Sequence, residues 1–403
     1  MVKRDISADN KMKPLIKWAG GKSSEIKYIE NIIPNFERYV EPFFGGGALF
    51  FDLEPKKAVI NDISGELMTF YRLLKNGKSG KKFKEEIYNY VHHWERIDVY
   101  MKEFGENILN SYKRYREEVI DYEELKKELE TLFKKKIIPF NGLFKEDFCV
   151  NRQGLLVEIE NNLLAKLKRT KEKIDTKKKF NDDEIKMNIE TGFRSGFYIH
   201  FRDIMNEAKN GLIKISREKE IANWYFVREF CYGGMFRFSR KREFNVPYGG
   251  IAYNKKDFRR KVDYLFSNKV RNLLERTRTE NRDFEELLNS LNLNEKDFIF
   301  LDPPYDTEFS DYEENPFTRQ DQERLSKTLI NLKAKWILII KETDFIRNLY
   351  TTKEAKKKGV KVSKFKKAYS FNIRSRFVRK VHHLIIHNLN LTLTEQKELF
   401  ALL

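Results

Sequence analysis

The chain has 403 residues, a formal charge of +18, a sequence isoelectric point near 9.4 and an aromatic fraction of 14%. At roughly 150 residues per domain this is enough for two or three domains with a sizeable core, and the positive charge combined with abundant ring surface suits a polyanionic partner, although lysine runs such as Lys134–Lys136 and Lys177–Lys179 also read as plain solvated surface. Only two cysteines occur, Cys149 and Cys231, far apart and without a CxxC or a His cluster, so neither a disulfide framework nor a metal site is readable.

The opening segment MVKRDISADNKMKP has no apolar core of signal length, and no run in the chain approaches the roughly 18 apolar residues of a membrane span. The expectation is a soluble cytoplasmic protein without a membrane partner. Next, Ile16 to Lys22 (IKWAGGK) brings an aromatic face, two glycines and a cation together. Trp18 is a candidate to face a cofactor's ring or cationic centre, and Lys22 its anionic end. Read as structure alone, they are a buried Trp before a turn and a surface Lys.

A first strand is predicted at Tyr39-Val40. From it, Glu41 to Phe51 (EPFFGGGALFF) runs through glycines into an apolar helix start. Gly45 and Gly47 let the backbone approach a ligand and leave a helix N-terminus facing its negative end. Glu41 and Phe43 complete the candidate cofactor set on this turn. The spacing is not GxGxxG, so a tight turn and a dinucleotide site stay as alternatives. Ala58-Val59-Ile60 predicts a second strand, after which Asp62 is placed to take a ribose diol, or else to cap the helix predicted from Ser64 to Leu74.

From about 75 to 270 the pattern changes to long charged helical stretches, Tyr112 to Lys136 and Leu163 to Lys173, followed by a Gly, Phe and Arg-rich segment from Thr191 to Tyr253. No sustained heptad or internal repeat is visible. The pattern predicts an insert, 76–270, splitting one α/β domain made of 1–75 and 271–403. Short apolar runs return at Phe298–Leu301, Trp336–Ile340 and His383–Ile386, with a helix between Asp321 and Leu332. Such runs, lacking polar alternation, read as strands buried on both faces of a parallel sheet.

The run Phe298–Leu301 leads into Asp302-Pro303-Pro304-Tyr305, which places this tetrapeptide at the C-terminal edge of the sheet, where open α/β folds hold their sites. Two prolines fix the turn and remove two N–H donors. What remains are acceptors, the Asp302 carboxylate and a carbonyl such as that of Pro303. Adenine's exocyclic amine is a poor nucleophile because its lone pair is delocalised into the ring. Acceptors that hold both of its hydrogens out of the ring plane localise that lone pair, a matter of positioning and electrostatics without a covalent intermediate. Tyr305 offers a face for a base taken out of a duplex, a stacking contact worth about 1 to 3 kcal/mol. The structural alternative is a Pro-rich turn after a strand.

Together, KWAGGK at 17–22, EPFFGGGALFF at 41–51, NDIS at 61–64, EFNVPYG at 243–249 and DPPY at 302–305 closely resemble the Dam-type (class alpha) DNA adenine-N6 methyltransferase family. In that family the cofactor motif comes first, the recognition region lies in the middle and DPPY comes last. The resemblance covers 12–75 and 225–390, while 76–220 match nothing. It implies a Rossmann-like α/β methyltransferase fold with a mostly helical DNA-recognition insert, and S-adenosyl-L-methionine as cofactor. It further implies that Trp18, Lys22, Asp62 and Asp302 contact that cofactor, and that Asp302, Pro303, Pro304 and Tyr305 act on a flipped adenine of double-stranded DNA. Lys341-Glu342-Thr343 departs from the Ser-Asn pair of such relatives and leaves the wall of the base pocket open.

Phe236 to Gly249 mixes cations and rings at turn spacing and resembles the family's recognition hairpin, with Arg237, Arg240, Lys241, Arg242, Asn245 and Tyr248 as candidate DNA contacts. Arginine suits bidentate guanine contacts and lysine mainly meets phosphate, but a phosphate or solvent role for each arginine stays open. Tyr369 to Lys380 resembles the family's late basic turn, with Arg374 and Arg376 toward backbone phosphates, or else a structural hairpin.

Neither cysteine follows a proline, which argues against cytosine-C5 chemistry. Cytosine-N4 enzymes more often open the tetrapeptide with Ser, and RNA or protein amide methyltransferases with Asn. A catalytically idle DNA-binding module would have lost Asp62, Asp302 or the glycines, and no nuclease metal pattern is present. The expected species is a monomer acting on double-stranded DNA. A separately encoded restriction endonuclease as companion, a phage origin and a housekeeping role stay open.

Overall fold

The computed structural model describes residues 11–18, 20–22, 25–137, 144–176, 180–305, 317–369 and 379–396. The chain divides into two units, Met1–Lys75 with Asn268–Leu403, and Asn76–Ser267. The first unit begins with β1 (Arg38–Glu41), α1 (Ala48–Leu53), β2 (Ala58–Asn61) and α2 (Gly65–Leu73). All four residues of β2 and three of β1 are buried, as continuous apolar strands require. Ser64 starts α2 by accepting the Leu67 N–H at 3.4 Å, with Glu66 in the first turn against the helix dipole.

The second unit is helical: α3 (Lys78–Arg116), α4 (Tyr122–Leu132), α5 (Glu146–Cys149), α6 (Arg152–Thr176), α7 (Asp182–Lys209), α8 (Arg217–Phe230), α9 (Ile251–Asn254) and α10 (Phe258–Leu265). The stretch read as one helix from Tyr112 to Lys136 is broken. Glu118 takes a φ of 58°, and Asp121 opens α4 with a capping box in which its carboxylate accepts the Glu124 N–H at 2.8 Å while Glu124 accepts the Asp121 N–H at 2.9 Å. The unit's core is aromatic. Tyr90, Trp94, Phe197, Phe201, Phe226 and Phe230 are all buried, and Tyr90 stacks on Phe226 with ring centroids 5.1 Å apart.

The chain then returns to the first unit through α11 (Asn268–Glu275), β3 (Thr277–Glu280), α12 (Phe284–Ser290), β4 (Asp297–Leu301), α13 (Arg319–Asn331), β5 (Lys335–Lys341), α14 (Asp344–Tyr350), α15 (Lys353–Lys357), β6 (Lys361–Tyr369) and β7 (Arg379–His387). The seven strands lie in the order β3-β2-β1-β4-β5-β7-β6. The first five pair in parallel, and β7 enters antiparallel between β5 and β6. The α/β class expected from the sequence is the one observed, as a Rossmann-like open sheet. Two points differ from the expectation. The run His383–Ile386 is buried but antiparallel, and β3 and β6 carry no apolar run because both are charged edge strands, which protects a sheet margin from further pairing. The order reverses between β1 and β4, the kind of switch point at whose carboxyl ends open α/β sheets hold their ligands. No helix among the described residues is long and apolar enough to cross a membrane.

Close packing of α6 against α7 rests on Gly192 and Gly196. A Cβ at Gly196 would stand 2.4 Å from the Ile159 Cα and 2.5 Å from the Glu158 carbonyl oxygen, atoms that cannot move without shifting the helix. Gly196→Ala is therefore expected to destabilise the protein by about 2 kcal/mol or more, whereas Gly105→Ala in α3, where the added carbon meets nothing within 4 Å, should be neutral or stabilising. Thermal unfolding of the two variants checks this, and equal melting temperatures would contradict it.

Candidate functional site

Val40 pairs with Val59 on one side and Ile299 on the other, so β1, β2 and β4 end on one edge. Their parallel course brings Glu41, Asp62 and Asp302 to that edge although they are distant in sequence. Gly45 and Gly47 adopt left-handed φ of 48° and 64°. A Cβ on Gly45 would lie 2.7 Å from Cδ1 of Trp18, and one on Gly47 would lie 2.4 Å from the Phe44 ring. The turn thus requires glycine twice over, for its backbone and for the indole resting on it.

Asp62 holds this turn from below. Its Oδ2 accepts the Gly45 N–H at 2.9 Å and its Oδ1 the Ser64 N–H at 3.0 Å, joining the glycine turn to the cap of α2. Burial raises its pKa, and the backbone donors of Ser64, Gly45 and Ile63 act against that rise. Asp62 thus stands at the strand end, while the helix-capping role that its position also allowed belongs to Ser64, whose N–H Asp62 accepts. Asn281 accompanies it, donating to the carbonyls of Asp62 at 2.7 Å and Ile63 at 3.1 Å, and Ile63 itself is exposed.

Glu41 is buried and accepts the Tyr39 hydroxyl at 2.8 Å. Burial pushes its pKa well above the ordinary carboxylate range. The Tyr39 hydrogen bond opposes that shift, while the charges of Asp302 and Asp62 add to it. Phe43 turns the other way, its ring against Phe284 at 5.4 Å and Phe317 at 5.5 Å, with Tyr305 in the same cluster.

Lys22 is buried, not on the surface. Its ammonium pairs with the Asp302 carboxylate and donates to the Tyr305 hydroxyl at 2.8 Å and the Gly20 carbonyl at 3.1 Å. Pro303 is buried and Pro304 exposed. The Pro304 carbonyl accepts from Gln322 Nε2 at 2.8 Å, fixing the turn to α13, while the Pro303 carbonyl accepts from no described residue. After β5, Glu342 pairs with Arg347 and lies 3.6 Å from His382 Nδ1, so the segment Lys341-Glu342-Thr343 carries a charge that its neighbours hold in place. Among the described residues no group of three or more His, Cys, Asp or Glu can hold a metal ion.

In the second unit, Phe238 bridges Phe244 and Cys231 bridges Tyr248, forming a hairpin after α8. At its tip the Arg242 N–H donates to the Ser239 carbonyl at 2.9 Å and Arg242 takes a φ of 60°. Arg240, Lys241 and Arg242 stand exposed there. Two other expected contacts are engaged within the hairpin: Arg237 clamps Asn245, through Oδ1 at 2.8 Å and the carbonyl at 3.0 Å. Tyr248 is buried, its hydroxyl on Asn254 Oδ1 at 2.9 Å, so its place is in the packing beneath the hairpin. Arg374 and Arg376 lie outside the described residues.

The model of the D12 class N6 adenine-specific DNA methyltransferases matches residues 18–146 and 153–364. The chain belongs to this family. Among relatives of this D12 methyltransferase, the type II methyltransferase M.CviBI of Paramecium bursaria Chlorella virus NC1A is 25% identical over 384 residues, 94% of this chain and 100% of the relative. The type II methyltransferase M.MjaIII of Methanocaldococcus jannaschii is 26% identical over 331 residues, 78% of each chain. A DNA adenine methylase of Vibrio cholerae is 38% identical over 65 residues, 16% of this chain and 24% of its own. The expected family and adenine-N6 activity are thereby supported. Gln322, Asn281 and the buried pair Glu25 and His383 are single polar residues without a local sequence signal, and only the fold of this D12 methyltransferase brings them toward the carboxyl ends of the strands.

A buried carboxyl with a raised pKa gives a definite sign. Glu41 favours the native state in its protonated form, so its contribution falls as pH rises above its ordinary value of 4.5. Glu41→Gln, which keeps size and the Tyr39 partner, is expected to melt higher than wild type at pH 8, with the difference closing toward pH 4. A variant melting lower at pH 8 would contradict it.

Proposed function

We propose that the methyl donor is S-adenosyl-L-methionine and that the chain acts on an adenine taken out of double-stranded DNA at a defined sequence. The observation that carries this reading is the cluster at the end of β4: Lys22 joined to both Asp302 and Tyr305, beside the carbonyl of Pro303. When bound, the cofactor supplies an electrophilic methyl group on a sulfonium. The residues that would hold it are Trp18, the turn at Gly45 and Gly47, Glu41 and Asp62. They fit a ligand with a cationic head and a ribose, because two carboxylates and an indole stand at the same strand ends as the glycine turn.

The chain's own contribution to the reaction is positional and electrostatic. The Asp302 carboxylate and the Pro303 carbonyl accept the two hydrogens of the adenine amine, drawing its lone pair out of conjugation. Lys22 balances the charge of Asp302 beside Glu41 and Asp62, so the carboxylate can be kept at a site already rich in acids. Lys22 thus serves the catalytic carboxylate, in place of the role at the cofactor's anionic end that its motif suggests. Tyr305 stacks on the unstacked base. Residues 76–267 serve as the recognition module, with Arg240, Lys241 and Arg242 meeting DNA and Arg237 with Asn245 holding the hairpin that presents them. The type II relatives favour a restriction-modification setting.

Expression in a methylation-deficient host, followed by sequencing for modified bases, is expected to show N6-methyladenine at one short motif. Asp302→Asn, which preserves the shape around buried Lys22 but removes its counter-charge, should abolish it while leaving DNA binding largely intact. Full activity in that variant would refute the assignment.

For the hairpin tip, exchange of Arg240, Lys241 and Arg242 for Gln should weaken DNA binding. It should also reduce the slope of log K against log salt by about one for each phosphate left without its cation. An unchanged slope with an altered methylation motif would instead identify base reading.

A further inference from the structure

We propose that Glu25 and His383 form a buried positioning device for the catalytic corner, acting through the ring of Tyr305. The proposal rests on the adenine-N6 reading above. Both side chains are fully buried, with His383 Nδ1 3.4 Å from Glu25 Oε2. The imidazole stands edge-on to Tyr305, with centroids 5.4 Å apart and planes at 83°. On its other side it meets Phe365 at 5.5 Å, its partner across the β6–β7 ladder. The row Tyr305, His383, Phe365 therefore runs from the catalytic turn into the antiparallel end of the sheet.

Glu25 is tied to the same corner by another route. Its N–H donates to the Lys22 carbonyl at 2.8 Å, so the turn that carries Lys22 also carries the carboxylate paired with His383. Lys22 in turn donates to the Tyr305 hydroxyl at 2.8 Å and pairs with Asp302. Tyr305 is thus held at its hydroxyl by Lys22 and at its ring by His383, and the two holders are joined through Glu25. The arrangement closes a loop between a turn before β1, the corner after β4 and the middle of β7.

Stability does not account for such a pair. Fully buried ionisable partners lose their hydration, and apolar side chains of similar volume at such places are often neutral or stabilising. What an apolar pair lacks is direction. The 3.4 Å contact makes no hydrogen bond, so its effect on the ring is electrostatic: the carboxylate favours the orientation that turns Nδ1 toward it, a preference that an apolar neighbour does not supply. Oriented in this way, His383 gives Tyr305 a fixed plane on which the target base stacks in register with Asp302 and Pro303. Loss of that orientation acts on the reacting geometry, hence on kcat, and leaves cofactor binding as it was.

The test uses the full chain, on a duplex carrying the motif that wild type methylates, and compares wild type with Glu25→Gln and with Glu25→Leu/His383→Phe. Melting temperature, calorimetric affinity for S-adenosylmethionine, KM for DNA and kcat are measured, together with the fluorescence of 2-aminopurine at the target position. Both variants are expected to bind the cofactor as wild type does and to keep KM for DNA, with kcat lowered about tenfold or more and an altered 2-aminopurine signal in the complex. If the double variant does not fold, Glu25→Gln carries the test with the same readouts. Wild-type kcat in a folded variant would overturn the proposal, as would a loss found entirely in cofactor affinity or in the folded fraction. Wild type that methylates no DNA would instead overturn the adenine-N6 reading, so the two failures are distinguishable.

Discussion

Lys22 is almost wholly buried, and an ammonium in that position needs an anion beside it. Its partner is Asp302, 280 residues away, at the end of the strand next to β1. The ion pair therefore joins the segment before the first strand to the corner after the fourth, and the insert Asn76–Ser267 between β2 and β3 has to return the chain to the same sheet for it to form. Two prolines deprive that corner of backbone donors, which leaves a side chain to supply the balancing charge. Lys22 supplies it, and its hydrogen bond to Tyr305 fixes the aromatic face in the same step.

A second constraint is steric. Glycines in such a turn are usually explained by the ligand they admit, yet at 45 and 47 their missing side chains are already accounted for by Trp18 and Phe44. The close approach is made first by the protein's own rings, and Asp62 locks the resulting turn through the Gly45 amide. A loop determined from above and below in this way can present its amides to a ligand without first being ordered, and preorganisation of that kind reduces the entropy lost on binding.

The buried strands, and the place of DPPY at the end of one of them, were legible because their signals are local. Val59 and Ile299 sit in short apolar runs, and DPPY follows one of these directly. Three kinds of feature were not legible. The charged edge strands β3 and β6 lack an apolar run because solvent or charge lies where a neighbour would be. The break between α3 and α4 depends on a left-handed residue, Glu118, and on a capping box at Asp121 that lies within an otherwise helical pattern. In the hairpin, Arg237 and Tyr248 look like contacts because of residue type, while cross-hairpin pairing with Asn245 and burial against Asn254 decide their place. Composition reports what a side chain can do, and only the register reports what it already does.

The catalytic unit keeps several ionisable groups where water cannot reach them: Glu41, Lys22, Glu25 and His383. A fold selected for stability alone would replace most of them, since each gives up hydration that its partners only partly return. Their placement matches the proposed reaction instead. Glu41 and Asp62 flank the turn proposed for a cationic ligand, Lys22 balances the carboxylate proposed to accept the amine hydrogens, and the remaining pair lies behind the ring on which the base would rest. Asp297 and His387 are buried at the opposite end of the sheet, but the group formed by Glu41, Lys22, Glu25 and His383 gathers toward the carboxyl edge, while the apolar layer around Trp336, Leu338 and Ile386 provides the rigidity that holds it. Unfavourable charge at one edge and dense packing beneath it are therefore two aspects of one design, in which the second makes the first tolerable.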